Sequence, residues 1–97
     1  MSEKQLVIKI RKALKEQYPK DVYYKIHGGL SQERGMPDIL GCHDGRFVGM
    51  EVKTPERFAK EGPTEYQKHQ LARIKKAGGI SGVVTSIHEA LQLIANN

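Results

Sequence analysis

Two carboxylates and one lysine define the chemistry open to this sequence: Asp38, directly after Pro37, and Glu51, two residues before Lys53. Between them lie two β-compatible runs, 38–43 and 46–53, separated by Asp44 and Gly45. That dipeptide tolerates the positive φ angles of a two-residue type I′ turn. With Asp44 and Gly45 as the loop, His43 faces Arg46, and the antiparallel register brings Asp38 opposite Glu51. Period-2 alternation then puts Glu51 and Lys53 on one face of their strand and Val52 on the other. Facing side chains have Cβ atoms about 4.5–5.5 Å apart, and like charges at that spacing destabilise a sheet. A hard divalent cation would offset the repulsion, because such ions take carboxylates together with water and phosphate oxygens. Lys53 points at the same spot; on a solvated strand end it would simply neutralise the pair. The pairing stands or falls with the turn, since a one-residue slip sends every side chain to the opposite face.

The remaining chain must position that hairpin. Residues 3–17 read as an amphipathic helix, with Leu6, Val7, Ile10, Ala13 and Leu14 on one stripe and lysines elsewhere. Ser2 and Gln5 have capping-box spacing, and Tyr18-Pro19 ends the helix. Glu3 shares the apolar stripe; it either carries a carboxylate toward the interior or only complements the helix dipole. Residues 21–27 form a first strand rich in aromatic and β-branched types, with His27 read as a surface or packed histidine. A glycine-rich loop over 28–36 leads to Pro37. Residues 54–63, with two prolines and an exposed Phe58, are expected to be a mobile loop able to close over a substrate. Thr64 caps a helix running to about Ala77, ended by Gly78 and Gly79. Gln67 lies on the core-facing side of its first turn; its spacing from Thr64 suits a capping box, a role in the site, or both. A buried strand over 80–85 precedes a last helix opened by Ser86 and Glu89, with Ile87, Ala90, Leu91 and Ile94 as its stripe. The order α-β-β-β-α-β-α implies an α/β fold with a mixed sheet covered by helices.

Composition bounds the partners. At 97 residues the chain is expected to be one domain over 1–97, large enough for a single core. Sixteen Lys and Arg against eleven Asp and Glu give a net charge of +5, which favours an anionic partner. Six of those cations lie in residues 1–20 and none follows Lys76. This describes either a side facing a polyanion or a solvated lysine-rich helix face. One cysteine, Cys42, allows no internal disulfide and suits a reducing compartment; it alternates with Leu40 and is expected to be buried. No apolar run reaches the length of a membrane span and no signal peptide is evident, so a soluble, cytoplasmic protein without membrane contact is expected.

Gly35-Met36-Pro37-Asp38, Glu51-Val52-Lys53 and Gln67 in the following helix together resemble the PD-(D/E)XK nuclease superfamily, and within it the small VRR-NUC domains. The likeness spans nearly the whole chain. It implies a restriction-endonuclease-like αβββαβ core with an added C-terminal helix, and Mg²⁺- or Mn²⁺-dependent hydrolysis of phosphodiester bonds. Asp38 and Glu51 would bind the metal, with the Val52 carbonyl as a further ligand and Glu3 acting through water. Lys53 would position or deprotonate the attacking water, or stabilise developing negative charge, and Gln67 would orient Lys53 or the phosphate. Stand-alone members resemble Holliday junction resolvases, which implies branched DNA as substrate and a homodimer. Where many members carry an Arg after the valines of the last core strand, this chain has Thr85-Ser86, so a substrate contact from that Arg has no counterpart. The competing reading keeps the fold as a non-catalytic, basic nucleic-acid-binding module. A third makes the chain a small subunit whose apolar helix faces serve a protein partner.

Overall fold

The computed structural model describes residues 1–28 and 33–97. Eight elements follow one another: α1 (Glu3–Gln17), β1 (Val22–Lys25), β2 (Ile39–His43), β3 (Arg46–Val52), α2 (Pro55–Lys60), α3 (Glu65–Lys76), β4 (Ile80–Val84) and α4 (Ile87–Ala95). The strands form one sheet in the order β1-β2-β3-β4, antiparallel across the first two pairings and parallel across the last. This is the expected α/β arrangement, a mixed four-stranded sheet flanked by helices with a helix at its C-terminal end. Among the described residues no helix is long and apolar enough to cross a membrane.

The hairpin has the register its turn dictates. Asp44 and Gly45 both have positive φ, 49° and 77°, as a type I′ turn requires. His43 pairs with Arg46, and the pairing runs without slippage to Ile39 and Met50. Alternation then sorts β3: Val48, Met50 and Val52 point into a core shared with Ile39, Ile80 and Val84. α1 closes that core with Leu6, Val7, Ile10 and Leu14, and α4 with Ala90 and Ile94. Ser2 and Gln5 form the expected reciprocal cap, each backbone N–H donating to the other's side chain.

The opposite sheet face carries Gly49 and Glu51, and α3 packs there on β3 and β4. A Cβ on Gly49 would stand 2.5 Å from Ile74 Cδ1, so the missing side chain is what lets α3 settle on the strand. Ser81 Oγ donates to the Leu71 carbonyl at 2.6 Å and fastens α3 to β4.

Five expectations need correction. Residues 54–63 are not all loop: Thr54 accepts the Arg57 N–H at 3.2 Å and Pro55 takes the first helical position, so α2 forms. Cys42 is only half-buried, because α3 lies over β3 and β4 rather than over β1 and β2. Ser86 caps α4, but Glu89 turns back to the Thr85 N–H and hydroxyl instead of completing a box, and Ile87 is 36% exposed rather than on the packed stripe. The first strand spans only Val22–Lys25, leaving His27 exposed beyond its end. Of the glycine-rich loop expected over 28–36, residues 29–32 lie outside the described residues.

Candidate active site

Asp38 is fastened from three directions. Pro37 before it is fully buried, its carbonyl accepts the Ile26 N–H at 2.8 Å, and its Oδ2 accepts the Val52 N–H at 2.8 Å. The hairpin register continued by one residue sets Asp38 against Glu51. Glu51 is 4% exposed and Lys53 5%, whereas Asp38 is half-buried, so one carboxyl and the ammonium are nearly out of solvent and the second carboxyl is partly open to it. Lys53 Nζ stands 3.9 Å from Glu51 Oε2. Lys53 N–H donates to the Val84 carbonyl at 3.1 Å; this parallel bonding with β4 leaves the Val52 N–H and C=O both facing the Asp38 side.

Burial disfavours both carboxylates in their charged forms, and their proximity adds to it. Glu51 is pushed up to about 8, first by burial and then by the negative charge of Asp38, with Lys53 opposing and Glu3 adding. Burial likewise raises Asp38, against the pull of the Val52 N–H. The two carboxyls interact strongly enough to titrate as a pair.

Gln67 does two jobs with one side chain. Its Oε1 accepts the Thr64 N–H at 2.8 Å, completing a capping box, while its Nε2 donates to Glu51 Oε2 at 2.9 Å. The amide has separate donor and acceptor ends, so the roles do not compete. Replacing Gln67 by Ala is expected to lower stability by about 1 kcal/mol through the lost cap. It is also expected to lower any cleavage by about 10- to 100-fold, as the loss of an orienting neighbour typically does. Thr64→Ala separates the effects: thermal melts should show a similar loss of stability, whereas cleavage assays should show activity near wild type. Equal losses of cleavage in both variants would assign Gln67 to the helix start alone.

Glu3 reaches toward the site from α1. Its Oε2 is buried with no hydrogen-bond partner, and Arg57 Nη1 stands 3.7 Å away, an ion-pair distance too long for a hydrogen bond. Its charge is felt at both Asp38 and Glu51. Even so, among the described residues no three His, Cys, Asp or Glu side chains group in a way that could hold a metal ion. A concavity of about 700 Å³ lies along the C-terminal half of α3, lined by Met36, Phe47, Gln70 and Ile74 among others, and contains none of the site residues. The carboxylates lie outside this cavity.

Sequence reasoning missed Arg57, which is brought to Glu3 by α2 and also held by Glu61 at 3.0 Å. The signal available was Thr54-Pro55, a helix start. It also missed the pairing of Arg34 with Tyr66, whose phenol accepts from Arg34 Nη1 at 2.8 Å.

A solved structure described as a VRR_NUC domain superposes on this chain with a TM-score of 0.62 and 24% sequence identity, covering 90% of this chain and 91% of that one. No protein-family model matches the chain, and no curated protein matches it. The chain therefore has the fold of a VRR_NUC domain, in keeping with a restriction-endonuclease-like core.

Proposed function

We propose that this chain, built on the fold of a VRR_NUC domain, is a Mg²⁺- or Mn²⁺-dependent endodeoxyribonuclease that hydrolyses phosphodiester bonds in branched DNA such as Holliday junctions or flaps. The observation that carries the reading is the pairing of half-buried Asp38 with buried Glu51, with Glu51 pushed up to about 8 and the Lys53 ammonium beside it. Two carboxyls confined this way are costly for a free protein and suited to one that gains a cation.

Two carboxylates and one carbonyl are enough for an ion that keeps several of its waters. Asp38, Glu51 and the Val52 carbonyl would offer hard oxygen donors on one edge, and Glu3 Oε2, which has no hydrogen-bond partner, suits a contact through water. A divalent ion held there supplies positive charge that polarises the phosphate and makes water a stronger acid at neutral pH. Lys53 places a further positive charge where negative charge builds on the phosphorus oxygens. Gln67 holds Glu51 in one rotamer and so fixes the charge pattern around Lys53. Water attacks phosphorus, one P–O bond of the diester breaks, and the products are a phosphate end and a hydroxyl end. The net charge of +5 draws the polyanion in. A homodimer would provide two such sites for paired incision of a junction, and light scattering of the purified chain reads that state.

Four-way-junction, flap and linear duplex DNA incubated with the protein in Mg²⁺ and in Mn²⁺ test the reading. Cleavage of the branched forms is expected with wild type and is expected to be lost with Asp38→Ala. Binding without cleavage of any substrate by folded wild type would overturn it and leave the non-catalytic module.

A further inference from the structure

Four large aromatic side chains stand out from the surface: Tyr24, Phe47, Phe58 and Tyr66. Among the described residues only Tyr66 has a cation against its ring, with Arg34 Cζ 4.9 Å from the ring centroid. The same guanidinium donates from Nη1 to the phenol oxygen at 2.8 Å. Arg34 thus covers one side of the ring and pins its orientation, while Tyr66 remains 54% exposed. A fixed, half-open aromatic surface beside a positive charge is what stacking of a nucleobase requires.

Both partners are held firmly. Gly35 has φ +76°, and a Cβ there would stand 2.3 Å from the Tyr66 carbonyl carbon, so only glycine lets this segment lie directly on the first turn of α3. Gln70 Nε2 reaches the Arg34 carbonyl at 3.2 Å and Glu33 Oε2 at 2.9 Å, and Arg73 joins Glu33 at 3.3 Å. The backbone that follows each partner leads to the carboxylate site. Arg34 lies four residues before Asp38, at most about 14 Å at full extension, and Tyr66 immediately precedes Gln67, which holds Glu51. At about 3.4 Å per stacked nucleotide, that reach is up to about four nucleotides along one strand.

We infer that Tyr66, backed by Arg34, is a stacking platform for one unpaired nucleobase within about four nucleotides of the phosphate that is cut, and that it selects DNA at a boundary between paired and unpaired strands. A base inside a duplex has both faces occupied by its neighbours and cannot use the ring. An unpaired base has a free face, and every base has one, so the platform reads strand structure and not sequence. This inference rests on the nuclease reading for the phosphate beside it, but its test does not.

Binding is measured in EDTA, where no metal-dependent cleavage occurs, by anisotropy on a blunt duplex and on the same duplex with a single-stranded tail. 2-Aminopurine occupies the first unpaired position of the tail. Wild type is expected to bind the tailed duplex more tightly and to quench 2-aminopurine fluorescence by stacking. Tyr66→Ala should weaken tailed binding by about 5- to 100-fold, abolish the quench and leave blunt-duplex binding unchanged. Tyr66→Phe, which keeps the ring, should retain the quench and most of the preference. Because Tyr66 is exposed and Thr64 still caps α3, both variants should melt like wild type. An unchanged tailed affinity in Tyr66→Ala, or an equal loss on tailed and blunt duplexes, overturns the inference. Cleavage of the tailed duplex in Mg²⁺ is scored separately: cleavage without stacking removes only the platform, and stacking without cleavage removes only the nuclease reading.

Discussion

With divalent ions removed by EDTA, raising the pH from about 5 to about 8 is expected to lower the melting temperature by at least about 4–8 °C, the shift that roughly 1 kcal/mol produces in a domain of this size. Glu51 has a folded-state pKa of about 8 against an ordinary value of 4.5. Between those values the folded state keeps a proton that the unfolded chain has released, so stability falls as pH rises and levels off above about 8. Asp38 is shifted in the same direction and adds to the slope. Other perturbed groups act outside this window. Glu33 is lowered from 4.5 by Gln70 and Arg73, so its contribution changes only at more acidic pH, and burial raises Tyr23 from an ordinary value of 10.0. Adding Mg²⁺ or Mn²⁺ should reverse the loss more strongly near pH 8 than near pH 5, because Glu51 gives up its proton as pH rises toward about 8 and a ligand of the folded state stabilises it in proportion to RT ln(1 + [L]/Kd). A melting temperature flat across this range in EDTA would contradict the shared burial of Asp38 and Glu51. No metal-induced rise at pH 8 would contradict the metal reading.

The acidic pair was legible from the sequence because a short turn with positive φ at both positions permits one register, and register decides which side chains meet. Asp44 and Gly45 meet that requirement, so Asp38 and Glu51 could be set opposite each other from spacing alone. The cap made by Gln67 was legible for a similar reason, since its spacing from Thr64 fixed one end of its amide and helix periodicity put it on the core-facing side; its bond to Glu51, rather than the expected contact with Lys53 or a phosphate, was not. α2 was not legible by periodicity because it has no buried residue, so its apolar pattern carries no signal. Its cap and its first-position proline were the readable evidence, and the two prolines in 54–63 were read as loop instead. Cys42 shows the opposite failure. Alternation placed it on the right face with Leu40, but no local signal says how far a helix will extend across a sheet. Arg57 with Glu3 and Arg34 with Tyr66 join segments far apart in sequence, and only the packed chain reveals such encounters.

Glu51→Gln should separate function from stability most sharply. The amide is nearly the shape of the protonated carboxyl; its oxygen can still accept from Gln67 Nε2, which stands 2.9 Å from Glu51 Oε2 in wild type, and its NH₂ can donate toward Asp38. The variant therefore imitates the state that burial already favours. It removes one of two negative charges needed to hold a divalent ion, and loss of several kcal/mol of charge stabilisation corresponds to a fall in cleavage of at least about 10³-fold. In EDTA at pH 8 the same variant should melt about 4–8 °C above wild type, since a neutral amide avoids the cost of burying a charge beside Asp38 that raises Glu51 to about 8. Near pH 5, where wild-type Glu51 is already protonated, the two proteins should melt together. Mg²⁺ should no longer raise the melting temperature of the variant at pH 8. A structural carboxylate would behave otherwise: if Glu51 served the fold through its contact with Lys53, the neutral variant would be less stable at pH 8, because Lys53 would lose a counter-charge in a nearly dry site. Melting curves at the two pH values, run beside a cleavage assay, decide between these outcomes, since an inactive but stabilised protein is expected only if the site gives up stability to hold a metal ion.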